Sequence, residues 1–191
     1  MEYITASKLY DYLECPLRVW RDIYDPKKDV KDIIKIIESV HINNVKNKDN
    51  GFLASEDLSE KTYNNMIESY DYCYVCESNN KIIGFLIASS FDLIDKQDEL
   101  FSFLEKKNIF KNFIYIFQIG VDVENQRKGI GKLLYNQLFK NAKMSDFMVI
   151  TSKEPLNLAS RKLHLKLGFK DEDIFTWSDG VESYVYKLSL K

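Results

Sequence analysis

The chain has 191 residues, of which 27 are Lys or Arg and 29 are Asp or Glu, so its formal net charge is −2. This length fits one domain with a hydrophobic core, and 45% hydrophobic with 29% charged residues is the balance of a globular protein. The near-neutral charge gives no electrostatic reason to expect nucleic acid or an anionic membrane as a partner. No stretch reaches the roughly 20 apolar residues of a membrane span.

Patterns in the N-terminal part predict three helices and one strand. Thr5 can cap a first helix that Pro16 stops, and apolar residues recur at helical spacing after Asp29. The predicted elements are a helix over 6–14, a strand over 17–24, a helix that follows Asp29 and a helix from Ser59 to about Tyr70. We divide the chain into an accessory N-terminal helix (1–16) and one domain (17–191).

Strands and helices alternate through the rest of the chain. The predicted strands are 72–78, 82–91, 113–123, 147–152, 169–177 and 181–190, and the predicted helices are 95–107, 129–143 and 157–167. Asn79-Asn80 and Asp179-Gly180 fit hairpin turns, because Asn and Gly tolerate positive φ. This order predicts an α/β (α+β) fold, a mixed sheet with helices packed on it.

The three cysteines do not predict a disulfide framework or a metal site. Cys73 and Cys76 lie in one predicted strand, where side chains three positions apart point to opposite faces. No second Cys/His pair stands nearby to complete four metal ligands. We therefore expect core cysteines, no metal, and a reducing cytoplasmic setting.

Residues 118–132 contain a candidate anion site. A buried strand runs into a loop with Gly129 and Gly131, and a helix follows. The first turn of a helix leaves backbone N–H groups unpaired and carries a partial positive charge, so it suits a phosphate. Arg127, Lys128 and Lys132 crowd this positive end, which a bound polyanion would offset. The alternative is a surface helix start whose cations extend into solvent.

Two other phosphate loops fit poorly. The nucleoside-triphosphate loop needs Ser or Thr where this chain has Leu133. The dinucleotide fingerprint needs Gly or Ala where this chain has Leu134.

The loop resembles the Q/R-x-x-G-x-G/A motif of the GNAT acetyltransferases, here residues 126–131. A second resemblance is to their N-x-A-S-x-x-x-H/Y-x-x-x-G-F segment, here 157–169. The similarity covers roughly residues 17–190, and it implies a GNAT-like fold and acetyl-CoA as donor. It also implies a cofactor site formed by Ile119, Gly120, Val121, Gln126, Arg127, Lys128, Gly129, Ile130, Gly131, Lys132 and Asn157.

The resemblance leaves the catalytic groups open. The usual acid of such enzymes is a Tyr at the position of His164, so His164 is a candidate acid, and a packed helix histidine is the alternative. Some relatives carry a Glu where this chain has Ser152. Glu154 is close by, but we assign no base.

We expect an acetyl-CoA-dependent N-acetyltransferase acting on a small-molecule or peptide amine, in a possible homodimer. The alternative is a catalytically weak acyl-CoA-binding protein of the same fold. Residues 92–112 lengthen the connection between two central strands and predict either a packed helix or a wall of the acceptor pocket. The opening residues 5–16 resemble some RecB-like nuclease domains, but no carboxylate and lysine cluster follows.

Overall fold

The structure is a computed structural model that describes residues 17–19, 26–45, 59–93, 98–107 and 112–190. The predicted helix over 6–14 lies outside these residues, so the accessory helix and the division at residue 16 stay predictions. The structure confirms the predicted fold class, a mixed sheet flanked by helices.

Five α-helices occur in the described part of the chain. They are α1 (Pro26–Val40), α2 (Glu60–Ser69), α3 (Glu99–Lys106), α4 (Ile130–Asn141) and α5 (Leu158–Leu167). Side-chain oxygens cap three of them: Ser59 accepts from the Thr62 N–H, Asp98 from Leu100 and Asn157 from Ser160. Such caps occupy N–H groups that the first helical turn leaves without partners. No helix within the described ranges is long and apolar enough to cross a membrane.

Within the described ranges, seven strands form one sheet in the order β1-β2-β3-β4-β5-β7-β6. They are β1 (Leu17–Val19), β2 (Tyr72–Ser78), β3 (Lys81–Ser90), β4 (Ile114–Val121), β5 (Asp146–Ser152), β6 (Lys170–Thr176) and β7 (Glu182–Ser189). All neighbours are antiparallel except β4 and β5, which are parallel. The predicted turn between β2 and β3 is confirmed, because Asn79 and Asn80 both have positive φ, 51° and 60°.

Helices cover both faces of the sheet. On the α4–α5 face, Leu134, Tyr135 and Leu138 pack on strand residues such as Ile116 and Val149. On the α1–α3 face, α1 and α2 bury one apolar cluster and α3 buries a second. Phe117 of β4 packs against both of the latter clusters.

The side chains of the two cysteines of β2 point to opposite faces of the sheet, as the period of a strand requires. Cys73 belongs to the cluster under α1 and α2, and Cys76 belongs to the cluster under α4. Both are buried, and Cys73 is a free cysteine. The described residues contain no group of three metal-ligating side chains. Cys73 is thus a core cysteine as predicted, whereas Cys76 is disulfide-bonded, which the sequence analysis did not expect.

Strands β4 and β5 part after a short stretch of pairing. Residues 114–116 pair with 147–149, whereas β4 continues to Val121 and β5 to Ser152. On the other side of β4 a bulge interrupts the register with β3, because Ile87 faces Gln118 while Ala88 faces Ile116. A bulge bends its strand and increases the local twist. Residues 117–121 therefore form an edge of β4 that is open on its β5 side, and we call the gap between the unpaired ends of the two strands the cleft.

Gly120 lies opposite Phe85 on the antiparallel neighbour β3. A Cβ atom at position 120 would stand 2.5 Å from Phe85 Cε1 and 3.0 Å from its Cζ. Phe85 is 1% exposed, so the ring has no free space to move into. The absence of a side chain at position 120 is thus required inside the sheet itself, independently of any ligand.

We expect Gly120→Ala to lower the free energy of unfolding by about 1–3 kcal/mol, the usual cost of overpacking. Urea denaturation measures the change. Phe85→Leu removes the ring atoms that meet the new methyl group, so the double variant should be more stable than the sum of the single changes predicts. Strictly additive losses would contradict the assigned contact.

Candidate active site

A compact loop (residues 122–129) joins β4 to α4. The Asp122 N–H donates to the Ile83 carbonyl at 3.0 Å, and the Asp122 side chain accepts from Asn125 Nδ2 at 2.9 Å. Gln126 Nε2 donates back to the Val121 carbonyl at 3.3 Å. The side chain of Gln126, a predicted cofactor residue, thus ties the loop to the end of β4.

Gly129 is the N-cap of α4 and adopts a left-handed conformation with φ of 85°. No side chain of the residues that the structure describes caps this helix, and its first turn contains no acidic residue. Intrahelical bonding starts with the Leu133 N–H, which donates to the Gly129 carbonyl at 3.0 Å. The earlier amides are therefore the N–H groups with which a helix start binds anions.

Contacts with the sheet fix the direction of α4. Gly84 on β3 leaves room for Ile130, since a Cβ there would lie 2.8 Å from Ile130 Cγ2. A Cβ on Gly131 would lie 2.9 Å from Leu163 Cδ2 on α5. The two positions of the motif thus require glycine for different reasons. Gly129 supplies the turn, and Gly131 allows close packing of α4 against α5.

The cations of the motif point outward at the helix start. Arg127, Lys128 and Lys132 are exposed, and Lys128 Nζ donates to Asn125 Oδ1 at 3.0 Å. None of the three forms an ion pair with a carboxylate of the described residues. Their positive charges remain available to a polyanion at the amides.

Of the other predicted cofactor residues, Ile119 and Val121 lie on the open edge of β4. Both are partly buried against the α4 cluster. The edge presents backbone groups without a neighbouring strand, to which an extended amide-containing ligand can bind as an added strand does. Asn157 Oδ1 accepts from the Ser160 N–H at 2.9 Å, and this cap leaves the Nδ2 group without a partner among the described residues.

His164 is enclosed in the core, with 0% of its surface exposed. Its Nε2 atom lies 2.7 Å from the Tyr135 hydroxyl, and its Nδ1 atom lies 3.4 Å from Ser160 Oγ. The rings of Tyr135, Phe169 and Tyr186 surround it. Burial lowers the pKa of His164 to about 3, so the imidazole is neutral at physiological pH.

This environment fits the alternative interpretation, in which His164 is a packed and hydrogen-bonded helix histidine. A general acid must reach the atom that it protonates, and the described residues leave the His164 ring no exposed surface. Its acid role stays a prediction.

The end of β5 offers hydroxyl groups and no carboxylate. Ser152 Oγ and Thr151 Oγ1 are buried, and neither has a hydrogen-bond partner within the described residues. Glu154 is exposed, beyond the end of the strand. We therefore assign no base.

Two buried polar side chains on the α1–α3 face escaped the sequence analysis. Gln118 is 8% exposed and accepts a hydrogen bond from the Tyr63 hydroxyl at 3.0 Å. Tyr115 is 7% exposed. The bulge breaks the alternation of the strand, so period-two reasoning could not assign these side chains to a face.

A family model described as the acetyltransferase (GNAT) family matches residues 40–169. The search of curated proteins found no match. Among solved structures, the ribosomal-protein-S18-alanine N-acetyltransferase of Escherichia coli is 19% identical, with 93% of this chain and 95% of that chain covered and a TM-score of 0.59.

Two further structures share the fold. An N-acetyltransferase of Staphylococcus aureus is 18% identical, with 93% of this chain and 99% of that chain covered and a TM-score of 0.61. NAA60 of Arabidopsis thaliana, in complex with acetyl-CoA, is 14% identical over 93% of this chain and 99% of its own, with a TM-score of 0.63. Since the family model spans more than half of the sequence, the chain belongs to the acetyltransferase (GNAT) family.

Proposed function

We propose that the protein is an acetyl-CoA-dependent N-acetyltransferase that transfers an acetyl group to a primary amine. One observation carries the proposal: the open edge of β4 leads through the loop over 122–129 into the uncapped start of α4. An extended chain of amides that ends in a pyrophosphate matches this sequence of backbone groups. CoA has that chemistry.

The residues present fit this ligand. The backbone of Ile119, Gly120 and Val121 would bind the pantetheine amides along the open edge. The amides of residues 127–132 would bind the pyrophosphate, with the exposed cations of Arg127, Lys128 and Lys132 around it. Asn157 would donate to the ligand through its Nδ2 group, which the helix cap leaves unused.

Acetyl-CoA supplies an activated acetyl group, held as a thioester. The chain's task is to orient the amine, to accept its proton and to exclude competing water. Ser152 and Thr151 provide hydroxyls at the end of β5, and neither can act as a charged base at neutral pH. A proton that leaves the amine would therefore pass to bound water held by backbone groups.

We expect Gly129→Asp to abolish acetyl-CoA binding, because it puts a negative charge at the amides that receive the pyrophosphate. Gly129→Asn is the matched control, since Asn has nearly the same shape and tolerates the same positive φ. Calorimetry should show an affinity at least about tenfold lower for Asp than for Asn. Equal affinities of the two folded variants would contradict an anion site at this helix start.

The low pKa of His164 predicts acid sensitivity. An unfolded histidine has a pKa near 6.5 and the folded one about 3, so below pH 6.5 the unfolded state takes up a proton that the folded state does not. Between pH 7 and pH 5 the wild-type protein should lose about 2 kcal/mol more of its free energy of unfolding than His164→Gln does. Urea denaturation at each pH measures this difference, with His41 retained in both proteins.

Equal pH slopes would mean that His164 is protonated in the folded state and reachable by solvent. The acid role has its own readout: His164→Ala would then lower kcat by roughly 10²–10⁴-fold with little change in acetyl-CoA affinity, and His164→Tyr would retain more activity. Near-native kcat in His164→Ala across pH 6–9 would remove the residue from the mechanism.

The test of the proposed function is release of free CoA, detected with a thiol reagent, across a panel of primary amines. Amine-dependent release that Gly129→Asp lacks supports the proposal. The missing carboxylate at Ser152 favours a second candidate, an acyl-CoA-binding protein with weak turnover. Acetyl-CoA binding without release in the presence of any amine would favour this candidate and overturn the transferase.

A further inference from the structure

Gln118 carries the one polar side chain on the open edge of β4. The other residues of this edge are Phe117, Ile119, Gly120 and Val121. Gln118 is 8% exposed, and its Oε1 atom accepts from the Tyr63 hydroxyl on α2 at 3.0 Å. Its Nε2 group donates to no atom of the residues that the structure describes. Polar groups of such buried residues are normally paired, so the unused amide donor points to a ligand oxygen that would accept from it.

The bond from Tyr63 fixes the orientation of the Gln118 amide. Tyr63 is 1% exposed and packs in the cluster under α1 and α2, so its ring is held in place. The two polar atoms of a carboxamide lie on opposite sides of the planar group, and Nε2 therefore faces away from Tyr63. Nε2 is not among the fully buried polar atoms that lack a partner, so a ligand can reach it. The bond to Oε1 also polarises the amide and strengthens Nε2 as a donor.

The strand places this donor at one end of the proposed acetyl-CoA site. With the pyrophosphate at residues 127–132, the pantetheine runs from Val121 to Ile119, away from the loop and toward the middle of β4. Each strand residue advances about 3.3 Å, so the acetyl thioester follows next, beside Gln118 and Phe117. The bulge turns both of these side chains to the α1–α3 face, where Phe117 packs and Gln118 meets Tyr63. The inference therefore rests on the proposed function.

We propose that Gln118 is a catalytic residue whose Nε2 group donates a hydrogen bond to the carbonyl oxygen of the acetyl group. When the amine adds to the carbonyl carbon, a C–N bond forms and the oxygen gains the negative charge that this donor stabilises. The C–S bond then breaks as the C=O bond reforms, the amine nitrogen loses one proton to bound water, and the sulfur leaves as a thiolate that takes up a proton from water. Tyr63 acts through Gln118 and is a positioning residue.

The first test is infrared spectroscopy of bound acetyl-CoA that is isotope-labelled at the carbonyl carbon. A hydrogen bond to the oxygen lowers the stretching frequency of this carbonyl. Gln118→Met keeps the length of the side chain and removes the donor, so the bound carbonyl should absorb at a higher frequency than in the wild-type protein. Tyr63→Phe should give a smaller shift in the same direction. Gln137→Met, the same substitution two turns along α4 from the helix start, should give none.

The second test compares acetyl-CoA with S-ethyl-CoA, which lacks the carbonyl oxygen. By calorimetry the wild-type protein should prefer acetyl-CoA by about three- to tenfold, the usual effect of one hydrogen bond. Gln118→Met should bring the two affinities within about twofold, whereas Gln137→Met should keep the preference. Where an amine is acetylated, Gln118→Met should lower kcat by roughly 10²–10³-fold, because the donor acts mainly as charge develops.

Neither binding measurement needs turnover, so the inference and the proposed function can fail separately. A folded Gln118→Met protein with the wild-type carbonyl frequency and the wild-type preference would overturn the inference and leave acetyl transfer intact. Lower thermal stability without either change would assign Gln118 a structural role only. Acetyl-CoA binding without CoA release would overturn the proposed transfer, while a frequency shift in Gln118→Met would still support the hydrogen bond.

Discussion

The early end of pairing between β4 and β5 is the constraint on which the other features depend. Parallel pairing stops at residues 116 and 149, while both strands continue. The bulge on the β3 side turns β4 away at the same place. A sheet with continuous pairing here would satisfy its own backbone groups and leave no cleft. The separation leaves the peptide groups of residues 117–121 without a neighbouring strand on the β5 side.

The start of α4 follows the open edge of β4, and close contacts with β3 and α5 hold this helix in place. Ile130 fits over Gly84, and Leu163 fits over Gly131. A Cβ atom on either glycine would lie under 3.0 Å from these side chains, so the packing of α4 would have to shift. The anion-binding geometry therefore depends on packing against β3 and α5 as much as on the glycine loop. The same packing encloses His164, whose neutral ring joins Tyr135 on α4 to Ser160 on α5.

The long connection between β3 and β4 contains α3, which packs on the sheet. Sequence reasoning left residues 92–112 as a packed helix or a wall of the acceptor pocket. The structure shows α3 buried through Leu100 and Leu104 and fastened to the β6–β7 hairpin. This is the packed helix of the first interpretation, and a role as a wall of the acceptor pocket stays a prediction.

The sequence by itself determined the order of elements, the mixed sheet and the glycine loop, because each depends on local periodicity and turn chemistry. Asn79-Asn80, Gly129 and Gly168 adopt the positive φ values that their residue types favour. The tertiary structure alone decided the burial of His164 and the contact of Gly120 with Phe85. These depend on strand register and on helices distant in the chain, and a bulge at residue 117 shifts the faces that a simple alternation would assign.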